Sequence, residues 1–211
     1  MKKDTLVLTT AALLLLSSSL AFPSDHSNAA CTPTAHSVTS LPYFNAQQTL
    51  PCTYAGTFQT GLTAEQDHNL FYWFFRNTND DSAPLVAWFN GGPGASSMPG
   101  LFYEQGPLRA NKTGDTADDF EVSLAEFGSW LDIANVVYID QPVGVGFSYG
   151  NSVLDRMDDG AEEIVKFFLA FYQMYPDFAS KPLILTGQSY AGKYIPIFAK
   201  HIIAHNKQTS V

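Results

Sequence analysis

The segment Leu183-Ile184-Leu185-Thr186-Gly187-Gln188-Ser189-Tyr190-Ala191-Gly192-Lys193-Tyr194 constrains the fold more than any other. A short apolar run stops at a Gly-x-Ser-x-small turn and continues as a sequence able to form a helix. This is the layout of a nucleophile elbow, in which a buried strand ends on a serine whose hydroxyl stands clear of the sheet. The small residues Gly187 and Ala191, two places either side of Ser189, relieve crowding in so sharp a turn. Pro196 must then sit in the first turn of the following helix or kink it.

The pattern upstream agrees with an α/β protein. Strand candidates are Tyr54 to Gln59, Asn69 to Arg76 and, after the polar turn at residues 77–82, Leu85 to Phe89. These three suggest an antiparallel meander feeding into a sheet. From Ile133 the chain alternates: an apolar strand to Ile139, helical periodicity from Asp158 to Tyr175, and a strand from Pro182 to Thr186. In that helix Ala161, Ile164, Val165, Phe168, Leu169, Phe171 and Tyr172 share a broad apolar face, while Asp158, Asp159, Glu162 and Glu163 lie near its N-terminus, where the helix dipole favours anions. Strand, helix, strand implies a right-handed parallel crossover.

A length of 211 residues suits one domain or a large part of one, and 45% apolar and 14% aromatic residues favour a packed core. A net charge of −9 argues against binding to nucleic acid or to anionic membranes. At the N-terminus, Lys2 and Lys3, the apolar run Leu6 to Leu16 and the small-x-small site Ser19-Leu20-Ala21 read as a cleaved secretory signal over residues 1–21. That run is short for a membrane span, which needs about 20 apolar residues, so no stable membrane association is expected once the signal is removed. Residues 22–50, rich in Ser, Thr, Pro and Asn, read as an exposed leader or an ordered arm, and residues 51–211 as a partial domain. Cys31 and Cys52 belong to an oxidising compartment, where they can pair with each other or with a cysteine outside this chain. Asn111-Lys112-Thr113 is an N-glycosylation acceptor and suggests an exposed loop.

A second glycine-rich constellation, Asn90-Gly91-Gly92-Pro93-Gly94-Ala95-Ser96-Ser97, follows the Leu85 to Phe89 strand. Glycines let backbone N–H groups approach a ligand, and a strand end is where an oxyanion donor is needed. No Gly-Lys-Ser/Thr follows, so a phosphate loop does not fit. With Asn69 to Phe74, Leu101 to Pro107, Tyr138 to Tyr149 and Gly187 to Tyr194, these blocks stand in the order found in the serine carboxypeptidases, and the chain resembles that family of α/β-hydrolase exopeptidases over most of residues 54–200.

The resemblance implies an α/β-hydrolase-type sheet, here its N-terminal part and incomplete on its C-terminal side. It implies Ser189 as the acylating nucleophile and the N–H groups of Gly92 and Tyr190 as the oxyanion hole. Asn90, Glu104 and the residue before the serine, Gln188, are implied to hold the free carboxylate of a peptide or protein C-terminus. A charged Glu104 would repel that carboxylate, so binding should favour acidic pH. No cofactor or metal is implied, and the expected location is secreted or in the lysosomal or vacuolar lumen.

Two departures from the family stand out. Most members have Glu where this chain has Gln188, so a pair of carboxyls sharing a proton becomes an amide beside an acid. The family's catalytic Asp and His lie well downstream of the serine, and neither position occurs in these 211 residues. His26 and His36 fall in the leader, His68 begins a strand, and His201 and His205 lie on the helix behind the elbow, without a Glu and third ligand to make a metal site. The chain alone is therefore expected to be nearly inactive. Asp140 reads as a structural hydrogen-bonding residue, Tyr138 and Tyr149 as packing or pocket wall, and Trp73, Trp88 and Trp130 as core. The same blocks would also fit an acyltransferase of this type or a non-catalytic protein that binds peptides or a partner.

Overall fold

In the computed structural model, residues 31–116 and 118–209 are described. The signal-peptide reading and His26 lie outside them. The frame is a five-stranded sheet built from β1 (Thr53–Gln59), β2 (Asn69–Phe75), β3 (Leu85–Phe89), β6 (Asn135–Ile139) and β7 (Leu183–Gly187), in the order β1-β2-β6-β3-β7. A separate hairpin pairs β4 (Leu108–Lys112) with β5 (Phe120–Leu124). The helices are α1 (Met98–Tyr103), α2 (Met157–Met174) and α3 (Ala191–Thr209). The meander expected from the first three strands is only half right: β1 and β2 are antiparallel, but β6 inserts between β2 and β3. β3 then runs parallel to both β6 and β7.

Alternation along β3 explains the two cores. Leu85, Ala87 and Phe89 face α2 and α3 and join Tyr72, Phe74, Phe167, Phe171 and Phe198. Val86 and Trp88 face the other way and join Leu101, Leu108, Leu131 and Tyr138. A strand buried on both faces excludes charged side chains, which is why β3 and β6 carry none. Ile133, placed on the β6 strand from sequence, lies outside it and is exposed, because the strand begins at Asn135, whose side-chain amide donates to the Ala83 carbonyl.

In α2 the buried positions Ala161, Ile164, Phe167, Phe168 and Phe171 recur at helical spacing, and Asp158 and Asp159 occupy the first turn. Leu169, expected on the apolar face, is instead exposed, and Glu163, one turn into the helix, is completely buried against His68. Pro196 is the sixth residue of α3, past the first turn, and the helix continues through it. Cys31 and Cys52 form a disulfide with a Cα separation of 5.4 Å. Beyond it, residues 31–50 lie against the sheet: Val38 N–H donates to the Thr53 carbonyl, and His36 hydrogen-bonds the buried Tyr72 hydroxyl at 2.7 Å. Asn111, expected on a loop, is exposed on β4.

Candidate functional site

The parallel strands set the site. In register Trp88 sits opposite Tyr138 and Phe89 opposite Gly187, so β3, β6 and β7 end together. Their carboxyl ends deliver Asn90, Asp140 and Ser189 to one edge of the sheet, the usual location for ligand sites in open α/β folds. Ser189 is exposed and has a φ of 57°, left-handed for a residue with a side chain. The turn is held by the Gln188 N–H donating to the Phe89 carbonyl at 3.2 Å and the Ala191 N–H to the Gln188 carbonyl at 3.0 Å. A Cβ on Gly187 would stand 2.2 Å from the Phe89 carbonyl oxygen and 2.7 Å from Ala191 Cβ, so the small residues flanking Ser189 are sterically required.

The glycine-rich loop abuts this turn. A Cβ on Gly91 would stand 2.5 Å from the Tyr190 nitrogen and 2.9 Å from Ser189 Cβ. Gly92 has a φ of 107°, which favours glycine. Among the described residues neither the Gly92 nor the Tyr190 N–H donates to a protein acceptor. Asp140, fully buried, sets the loop's position: its Oδ1 accepts from Ser97 N–H at 2.7 Å and Ser96 Oγ at 2.8 Å, and its Oδ2 from Phe147 N–H at 3.0 Å. Ser97 Oγ donates to the Ile139 carbonyl at 2.6 Å and accepts the Asn90 N–H at 3.1 Å. The structural reading of Asp140 therefore describes it well.

Gln188 and Glu104 meet directly, with Gln188 Nε2 donating to Glu104 Oε1 at 2.6 Å. Arg109 anchors the backbone beneath Glu104: Nη2 donates to the Glu104 carbonyl at 2.9 Å, and Nη1 to those of Gly106 and Leu108, each at 2.7 Å. Trp88, read from sequence as core, has a second function. Its Nε1–H donates to Asn90 Oδ1 at 2.5 Å. An indole can only donate, so it takes the amide oxygen of Asn90 and leaves the Nδ2 donors for the site. Neither Trp88 nor Arg109 was singled out for the site from sequence, although the two-residue spacing of Trp88 and Asn90 put both on one side of the strand.

The histidines do not complete the elbow. Among the described residues, none hydrogen-bonds Ser189: His36 holds Tyr72, His68 holds Glu163, and His201 holds Asp158 at 2.9 Å. That last contact keeps the half-exposed Asp158 carboxyl below its usual range. No group of three or more candidate metal ligands occurs among the described residues. A cleft of about 430 Å³ lies away from Ser189, along the β4–β5 hairpin beside Asn45, Asn111 and Glu121.

Comparison with known proteins points one way. The family profile described as serine carboxypeptidase matches residues 46–211. The pheromone-processing carboxypeptidase KEX1 of Ogataea parapolymorpha is 41% identical over 154 residues, covering 69% of this chain and 24% of that protein. A carboxypeptidase Y homolog A of Ajellomyces capsulatus is 41% identical over 143 residues, covering 67% and 25%. The crystal structure of Kex1(delta)p, a prohormone-processing carboxypeptidase from Saccharomyces cerevisiae, superposes with a TM-score of 0.66 at 33% identity, covering 76% of this chain and 36% of that one. The chain thus spans about a quarter of the length of these curated relatives.

Proposed function

The chain belongs to the serine carboxypeptidase family, and from that membership we propose that it carries the nucleophile and the carboxylate-recognition half of a carboxypeptidase site. Ser189 is the acylating nucleophile, with its hydroxyl lifted from the sheet by the left-handed turn. The N–H groups of Gly92 and Tyr190 form the oxyanion hole, and the absence of a side chain on Gly91 keeps the loop close to the Tyr190 amide. Asn90 Nδ2, oriented by Trp88, and Gln188 donate to the carboxylate of a peptide C-terminus, while Glu104 faces the same ligand. Cleavage would transfer the peptide acyl group to Ser189 Oγ, release the C-terminal amino acid, and return the enzyme by hydrolysis.

The observation that carries this reading is the Gln188–Glu104 contact beside Ser189, which brings together two polar side chains 84 residues apart that the ligand requires. Affinity of the chain for a short peptide with a free C-terminus, compared with the same peptide amidated, tests it. The free acid should bind at least about tenfold tighter, since charge-assisted hydrogen bonds are the stronger class. Equal affinities would end the carboxylate assignment. Because no described histidine contacts Ser189, turnover by the 211-residue chain should be very slow. The Cys31–Cys52 disulfide and the signal-like residues 1–21 support an oxidising luminal or extracellular location, secreted, lysosomal or vacuolar. Residues 31–50, which lie against the sheet, are read as an arm of a partial α/β-hydrolase domain formed by residues 51–211.

A further inference from the structure

A serine, a histidine and a carboxylate do align in this molecule, though not at the elbow. Ser152 Oγ lies 2.7 Å from His68 Nε2, and His68 Nδ1 lies 2.5 Å from Glu163 Oε1. The three come from separate parts of the chain: the loop after residue 149, the approach to β2, and the second turn of α2. Their burial is graded, with His68 and Glu163 fully enclosed and Ser152 exposed.

The loop that carries Ser152 is fastened by its neighbours. Asn151 Oδ1 accepts the Asp67 N–H at 3.1 Å, and Asn151 Nδ2 donates to the Glu65 carbonyl at 2.7 Å. A Cβ on Gly150 would stand 2.7 Å from His68 Cδ2, so the backbone lies directly on the imidazole. Among the described residues the second carboxylate oxygen of Glu163 has no hydrogen-bond partner, which leaves His68 as the partner of that side chain. With Glu163 ionised, its oxygen takes the Nδ1 hydrogen and fixes the tautomer in which Nε2 offers a lone pair to Ser152. That is the division of labour of a nucleophile, a general base and an orienting acid.

We infer that Ser152 is a base-activated nucleophile, independent of Ser189, that accepts small acyl or phosphonyl groups from activated electrophiles at the protein surface. His68 is its catalytic base and Glu163 a positioning residue. With a fluorophosphonate, the Oγ–P bond forms as the P–F bond breaks, fluoride leaves, and the Oγ proton passes to His68 Nε2 and on to solvent. With an aryl ester, the Oγ–acyl bond forms, the departing aryl oxide takes that proton, and water then hydrolyses the acyl-serine.

The test is to treat the folded 211-residue chain with a fluorophosphonate at mildly alkaline pH and map the adducts by peptide mass spectrometry, reading Ser152, Ser189 and the exposed Ser180 separately. Ser152 should be modified at least about a hundredfold faster than Ser180, the scale of general-base assistance. His68→Gln should remove that advantage, and Glu163→Gln should reduce it about tenfold in protein that keeps its native circular dichroism. Modification of Ser152 no faster than Ser180, or of Ser189 alone, would overturn the inference using unmutated protein, even if the core variants fail to fold. A Ser152 rate unchanged in a folded His68→Gln protein would overturn it too.

Discussion

At the scale of single residues, two side chains decide how a carboxylate would be met. Trp88 determines which end of the Asn90 amide faces the site, a role hidden in the sequence because tryptophan in an apolar strand already has a sufficient explanation as core. Trp88→Phe removes the indole donor, strands the buried Asn90 oxygen and should cost about 1–3 kcal/mol of stability, read by urea denaturation. It should also weaken binding of a free-acid peptide, whereas unchanged binding would leave Asn90 without its assigned part. Gln188 was legible in the sequence as a departure from the family, and the structure adds that its amide touches Glu104. In Gln188→Glu two carboxyls occupy one contact and must share a proton, so peptide affinity should fall more steeply with rising pH than in the unmutated protein. Superposed affinity profiles would remove Gln188 from carboxylate recognition.

At the scale of elements, fastening depends on pairs distant in sequence. His68 and Glu163 join the approach of β2 to α2 across 95 residues, and nothing local in either segment signals it. Burial pushes the Glu163 carboxyl up, with the His68 contact acting the other way but not prevailing. The folded state therefore holds this proton to higher pH than the unfolded chain does. Its contribution is fully present below the ordinary glutamate value and is lost as pH rises through the folded value. Asp158 acts oppositely: depressed by His201, it adds stability above the ordinary aspartate range that disappears as pH falls through its folded value. Urea titrations across the acidic to neutral range should show both limbs, and Glu163→Gln should flatten only the first. The N-terminal arm supplies a third fastening. Reducing the Cys31–Cys52 bridge, which closes a separation of 21 residues, should lower stability by about 3 kcal/mol. The β4–β5 hairpin is harder to read in the sequence: Phe120-Glu121-Val122-Ser123-Leu124 does alternate apolar and polar residues, but both strands are only five residues long and the glycosylation acceptor at the end of β4 resembles a loop.

At the scale of the whole molecule, the doubly buried strands were plain in the sequence, but their neighbours were not. Continuous apolar runs identify β3 and β6 as interior, yet an apolar run does not say which strand it adjoins, so the insertion of β6 between β2 and β3 came only with the structure. Among the described residues β1 and β7 form the edges of the five-stranded sheet. Backbone amides of β3 and β6 should therefore exchange with deuterium more slowly than those of β1 and β7, as mass spectrometry of the native protein would show, and equal protection would contradict this order. The same arrangement gives Asp140 a reach beyond its own strand. Because one carboxylate grips Ser96 and Ser97 on one side and Phe147 on the other, the loop beside Ser189 and the loop after β6 are yoked. Neither can swing open alone, and any opening of the site that moves one must carry the other or first break that grip.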